Sequence, residues 1–240
     1  MRDRTRNLTL AAMALTLAVS GCSSTGTSSD DDLAFWSMLA FASSSVEVYS
    51  SVREMAAGAD LVVVGSIGEV TVGREWGDSR EPANSVASLL FQVKVTQVLR
   101  GEMPEGITDT VTWEHSFPAY GAAQLSGRLT SEGMVDDRTR QVRPYPKGHV
   151  LLFLRLRNDM GSELAVMEGA AFAGGVSYRL VAPQGMVAED GESATSPLAA
   201  VNLALDESGR PYELDLPEQL LAEEIATHSF EELTKLAQTG

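Results

Sequence analysis

The sequence predicts an α+β fold: a small antiparallel barrel of five or six strands, with one helix before it and one or two helices at its C-terminal end. Three observations carry that expectation. Apolar and polar residues alternate over several short runs, which is the period of half-buried strands. In two of those runs a glycine or a one-residue slip interrupts the alternation, and such interruptions mark the bulges that curl a sheet. Two capping-box patterns, Ser44 with Glu47 and Ser229 with Glu232, bracket the strands and start helices on either side.

Ahead of the domain the chain has two segments. In residues 1–21, Arg2, Arg4 and Arg6 precede an uncharged apolar run from Leu8 to Val19, the order of an export signal. The following Val19-Ser20-Gly21-Cys22 resembles the bacterial lipobox, in which small residues precede a cysteine that is lipidated and becomes the first residue of the mature chain. Leu8 to Gly21 is too short for a spanning helix, which needs ~20 apolar residues. Cys22 is the only cysteine, so no internal disulfide can form, and lipidation accounts for its presence. Residues 22–44 are expected to hold this lipidated cysteine, a solvated tether from Ser23 to Asp32, and a short apolar segment from Leu33 to Ala42. That segment is expected to pack on the domain as a short helix or strand; the alternative is a second foothold in the lipid interface, where Trp36 would be favoured. Asp30, Asp31 and Asp32 lack the glycine turn and later glutamate of a calcium loop, so they read as tether.

Residues 45–240 form the domain. Val48, Val52 and Met55 at helical spacing predict a helix over roughly 45–57 that lies against a sheet, with Gly58 as a left-handed stop. Leu61 to Val64 is apolar throughout, a strand buried on both faces, and it bends at Gly65 before alternating through Val70 and Val72. A polar loop is expected at 73–87. Phe91, Val93 and Val95 alternate until the parity slips near Thr96-Gln97, so a bulge is expected there. Val111 and Trp113 mark the next strand, and the glycine-rich stretch from His115 to Tyr145 a long surface excursion. Val150 to Arg157 starts buried on both faces and ends with one face wet. Further strands are expected at Leu164–Met167 and Val176–Val181, a short one at Met186–Ala188, loop at Ala188–Pro197, and a hairpin at Val201–Leu205 and Tyr212–Leu214. Pro217 and Ser229 open the closing helices.

Ala59-Asp60-Leu61-Val62-Val63-Val64-Gly65, Val98-Leu99-Arg100-Gly101, Gly148-His149-Val150-Leu151-Leu152-Phe153-Leu154 and Ser229-Phe230-Glu231-Glu232-Leu233 occur in that order. In this the chain resembles uncharacterised bacterial lipoproteins whose core is similar to the netrin-like or TIMP-like OB-fold barrel. The resemblance covers about 45–238 without the 73–87 and 115–146 loops. It implies an OB-like barrel serving as a binding or inhibitory module. Inhibition in the TIMP manner needs a free, disulfide-held terminal cysteine, which an acylated lone Cys22 does not offer.

Charge narrows the partners. The chain carries a net charge of −15, and removing residues 1–21 takes away three arginines and one aspartate, leaving 15 cations against 32 acids, or −17. Nucleic acid is excluded on that balance. No His or Cys grouping has zinc spacing, the serine at Ser66 lacks the glycine and helix of a nucleophile elbow, and no cofactor motif is complete, so no cofactor is expected. His149 and His228 read as solvated or capping residues. Glu114-His115 is the one pair that suggests acid–base chemistry, but neighbours on a strand point to opposite faces. Arg138, Arg140, Arg143 and Lys147, with Tyr145 among them, form a basic cluster in an acidic chain. Local balance with Asp136 and Asp137 is the plainer account; a contact patch for an acidic envelope protein or polymer is the functional one. The expected protein is a non-catalytic, lipid-anchored binding module on the extracytoplasmic face of the cell membrane. The alternatives are a small envelope hydrolase near Glu114 and His115, or a structural envelope tether.

Overall fold

The computed structural model describes residues 29–39, 47–76, 86–106, 109–118, 120–157, 176–191, 193–198 and 216–240. The export signal, Cys22, the Ser44 cap and the strands expected at 164–167, 201–205 and 212–214 lie outside these residues.

Helix α1 (Ser29–Leu39) starts inside the stretch expected to be tether. Asp31 and Asp32 stand in its first turn, where the helix dipole favours carboxylates. Phe35, Trp36 and Leu39 share one face and are wholly buried, so the apolar segment packs on the domain, as expected. Helix α2 (Val52–Gly58) is shorter than expected. Its cap is Ser51, whose Oγ accepts the Glu54 N–H at 3.1 Å. Residues 47–51, expected to be helical, are not; Glu47 accepts hydrogen bonds from Arg155 and Arg179 at 2.9 and 2.8 Å. Gly58 makes no left-handed stop; the chain leaves α2 through an extended Ala59.

Strand β1 (Leu61–Trp76) pairs antiparallel with both β2 (Val86–Arg100) and β6 (His149–Leu156), and β2 pairs antiparallel with β3 (Thr110–Pro118). The bulge lies where the parity slips: Val64 faces Gln97, Gly65 faces Val95, and Thr96 is left over. A Cβ at Gly65 would stand 2.5 Å from the Lys94 carbonyl oxygen, so the approach of the two strands requires glycine. Both ends of the expected 73–87 loop are strand, residues 73–76 in β1 and 86–87 in β2, with Glu75 opposite Ala87 and Trp76 opposite Val86; residues 77–85 lie outside the described ones. The polar composition misleads there because Arg74 faces other polar groups of the fold, not water.

The excursion from 115 to 145 is also more ordered than expected. β3 runs on to Pro118, α3 (Ala122–Ser126) follows, and β4 (Gly133–Val135) and β5 (Val142–Pro144) form a separate two-stranded hairpin. Beyond β6 come β7 (Tyr178–Leu180), β8 (Met186–Asp190) and β9 (Ser193–Thr195). The last two form a hairpin through Gly191 where loop was expected.

The main sheet has seven strands in the order β1-β2-β3-β7-β6-β8-β9, with β1 also pairing β6. All its ladders are antiparallel except β3–β7, a parallel contact of one residue pair, Trp113 with Tyr178. The fold class is therefore α+β with a mostly antiparallel sheet. Among the described residues the strands are more numerous than the five or six expected, and no continuous ladder closes them into a barrel.

The sheet separates two apolar cores. Leu61, Val63, Leu152 and Leu154 point to one, with α1, Phe91, Trp113 and Phe117. Val62, Val64, Leu151 and Phe153 point to the other, beneath α2, α4 (Leu216–Thr227) and α5 (Phe230–Gln238). That double burial explains the unbroken apolar runs of β1 and β6. On α4, Leu221 and Ile225 are buried while Leu220 faces outward. The capping box of α5 is complete: Ser229 Oγ accepts the Glu232 N–H, and the Glu232 carboxylate accepts the Ser229 N–H at 2.9 Å.

Candidate functional site

Strand alternation places Glu114 and His115 on opposite faces of β3, and β3 does not end there to bring them together. Each side chain is taken up by its own surroundings.

Glu114 is 2 % exposed. Across the β2–β3 ladder Ser88 donates to its Oε1 at 2.8 Å, and from the end of β1 Arg74 Nε donates to the same oxygen at 3.1 Å. Oε2 accepts Arg74 Nη2 and, at 3.0 Å, the Ser177 hydroxyl, while Arg157 Nη1 stands 3.7 Å away. The guanidinium carbons of Arg157 and Arg74 lie 5.0 and 5.6 Å from the Trp76 ring centre, so one indole is shared by both cations. Burial alone would raise the Glu114 carboxyl. The Arg74 hydrogen bond, the Arg157 charge and the Ser88 hydroxyl outweigh it and hold the group below the usual glutamate range. A carboxylate has about four acceptor positions, and both oxygens of this one already accept bonds from these neighbours. It is an anion held in place, with little capacity left to take a substrate proton.

His115 faces the aromatic core between Trp113 and Phe117, with ring centres 5.7 and 5.2 Å away. Its Nε2 lies 2.9 Å from the Leu39 carbonyl oxygen at the end of α1, a contact in which the ring donates. Burial pushes the imidazole down to about 4; the Leu39 carbonyl pulls the other way, and the Arg157 charge adds to the fall. His115 thus joins α1 to the sheet as a neutral ring.

The basic cluster is split among several roles. Gly133 lets β4 lie against β5, since a Cβ there would stand 2.0 Å from the Arg143 carbonyl oxygen. Arg143 pairs with Asp136 at 3.6 Å. Tyr145 packs edge-on to Phe35 at 5.8 Å, and its hydroxyl donates to the Thr130 carbonyl. Arg138 and Arg140 are exposed at the hairpin tip, Arg140 with a left-handed φ of 60°, and Lys147 is exposed beyond β5. Local charge balance therefore accounts for Arg143 and does not account for these three. Glu132 is exposed, whereas Asp136, Asp137 and Asp32 are engaged by the fold. Asp136 accepts the Arg138 and Thr139 N–H groups and the Thr139 hydroxyl, Asp137 pairs with Arg128 at 3.2 Å and accepts from Tyr120, and Asp32 accepts the Lys147 and Gly148 N–H groups. Between α1 and the hairpin lies a cleft of about 200 Å³ lined by Ser37, Met38, Tyr120, Arg128, Asp136, Asp137 and Arg138.

Sequence reasoning missed Arg74, Ser88, Arg157 and Ser177 as partners of Glu114. A signal existed for Ser88, a lone hydroxyl inside the apolar run Val86–Phe91. Nothing local linked Arg74 or Ser177 to a residue 40 or 63 positions away. His149 is exposed at the start of β6, and His228 Nδ1 lies 2.8 Å from the Glu224 carbonyl at the end of α4. Among the described residues no group of three or more His, Cys, Asp or Glu side chains is arranged to hold a metal, and no helix is long and apolar enough to cross a membrane. Comparison with protein-family models, with curated proteins and with solved structures found no match for this chain.

Proposed function

We propose that the chain is a lipid-anchored protein of the extracytoplasmic membrane face, acylated at Cys22, whose domain binds an acidic partner without catalysing a reaction. The observation that carries the non-catalytic reading is the state of Glu114: its carboxylate is bound by Arg74, Ser88 and Ser177, and His115 is turned to the other face. The hydrolase alternative would need that carboxylate released and the imidazole brought across the strand. The binding reading rests on Arg138, Arg140 and Lys147, which stand outward while the neighbouring acids are engaged.

The pairings run β1–β2–β3–β7–β6 and return to β1, with the β3–β7 contact parallel. That circular order supports a partly open OB-like barrel, the core of the lipoprotein family the sequence resembles.

Capture from native envelope extract tests the function. Acylated protein is expected to retain an acidic partner that the Arg138→Glu/Arg140→Glu/Lys147→Glu variant loses, with unchanged circular dichroism in the variant. Equal capture by both proteins would remove the hairpin from the account.

A further inference from the structure

We propose that the acidic partner of the basic hairpin is the anionic phospholipid surface in which the anchor itself sits, so that Arg138, Arg140 and Lys147 form the membrane-facing side of the domain. The inference rests on the Cys22 anchor proposed above. Asp32, in the first turn of α1, accepts the Lys147 and Gly148 N–H groups at 3.1 and 2.9 Å, and Phe35, one turn on, meets Tyr145. The beginning of α1 and the end of the basic hairpin are therefore one rigid corner of the molecule. Only Ser23 to Ser28 separate Cys22 from α1. Fully extended, the seven steps from Cys22 to Ser29 span no more than about 25 Å. An anchor at Cys22 thus keeps the start of α1 and Lys147 within a short reach of the bilayer.

Charge then selects the orientation. The anchored body, with 15 cations against 32 acids and a net charge of −17, is repelled by an anionic leaflet. The hairpin corner is an exception, for a structural reason. Asp136, Asp137 and Asp32 are engaged by donors of the fold, whereas no ion pair of Arg138, Arg140 or Lys147 is found among the described residues. Each cation at such a surface is worth about fivefold in association. Lys147 at that corner, with Arg138 and Arg140 at the hairpin tip beyond it, orient the domain without having to recruit it, because the anchor has already done so. Phosphate diesters of the headgroups are the chemistry that fits; an acidic protein or a wall polymer is the competing occupant.

Trypsin reads the prediction directly, because it cuts after Arg138, Arg140 and Lys147. The protein purified from its host membranes is placed in vesicles of phosphatidylcholine, or of phosphatidylcholine with one third phosphatidylglycerol, and the mass of its N-terminal peptide is measured on the same sample. With Cys22 acylated, cleavage at the three sites is expected to slow about tenfold or more in the anionic vesicles alone, and to recover at high ionic strength, where the Debye length shrinks to about 3 Å. In the Arg138→Glu/Arg140→Glu variant, cleavage after Lys147 is expected to proceed equally in both vesicles. Equal cleavage of the acylated wild-type protein in both vesicles overturns the inference and leaves the anchor reading standing. An unmodified sulfur overturns the anchor reading instead. The same protein coupled through Cys22 to a maleimide lipid then tests the hairpin by itself, with the same two outcomes.

Discussion

Around Glu114 the cations turn inward; along the hairpin Arg138, Arg140 and Lys147 turn outward. Both regions combine arginines with acids, and a list of charged residues would not tell them apart. In the first, Arg74 and Arg157 converge on one sequestered carboxylate and share the Trp76 ring. In the second, the carboxylates are drawn into turns and backbone contacts, which leaves Arg138, Arg140 and Lys147 in solvent. Which partner of a charge pair the backbone engages decides whether an arginine becomes part of the fold or part of a surface.

The largest expected effect is at the buried cluster. Glu114→Ala leaves Arg74 and Arg157 without their shared anion, and breaking a buried pair in this way costs about 3–5 kcal/mol. Urea denaturation measures it. A loss below about 1 kcal/mol would place Glu114 with the surface charges.

Titration separates the two faces of β3. His115 is held at about 4 in the fold and titrates near 6.5 when unfolded. The unfolded chain therefore takes up the proton first, so the stability due to the neutral ring is complete above about 6.5 and lost as pH falls from there to about 4. Glu114 is lowered, so its contribution is complete above the unfolded value of ~4.3 and is lost only as pH falls further, through its folded value. His115→Gln should flatten the stability profile between pH 6.5 and 4 and leave the more acidic limb. A variant with the wild-type slope would mean that His115 is not buried neutral against Leu39.

The smallest effect is expected at the hairpin. Arg138→Ala with Arg140→Ala should change the unfolding free energy by no more than about 0.5 kcal/mol, as exposed substitutions do. A larger loss would show that these arginines hold the hairpin together and would merge the two regions into one kind.

The sequence showed much of the scaffold and little of the buried cluster. Double burial of Leu61–Val64, the bulge at Thr96 and the box at Ser229 and Glu232 were legible because each depends on neighbours within a few residues. The first helix was read in part: Phe35, Trp36 and Leu39 announced burial, but Asp31 and Asp32 looked like tether because a helix start and a solvated run share the same residues. Residues 73–76 were misread for a related reason: polar side chains that face a buried ionic cluster leave the same trace as those that face water. Of the candidate residues, Arg138, Arg140 and Lys147 were visible as a basic cluster. Their separation from Arg143 and Tyr145 depends on Asp136, Phe35 and Thr130, and only the folded chain brings those together.

A double-mutant cycle on Arg74 and Glu114, read by urea denaturation, tests most directly whether Glu114 serves the fold and not a reaction. The account predicts that Arg74→Ala, Glu114→Ala and the double variant are strongly non-additive, with a coupling of about 1–3 kcal/mol. Additive losses within about 0.5 kcal/mol would contradict it, because the carboxylate would then be free of the arginine that is said to hold it.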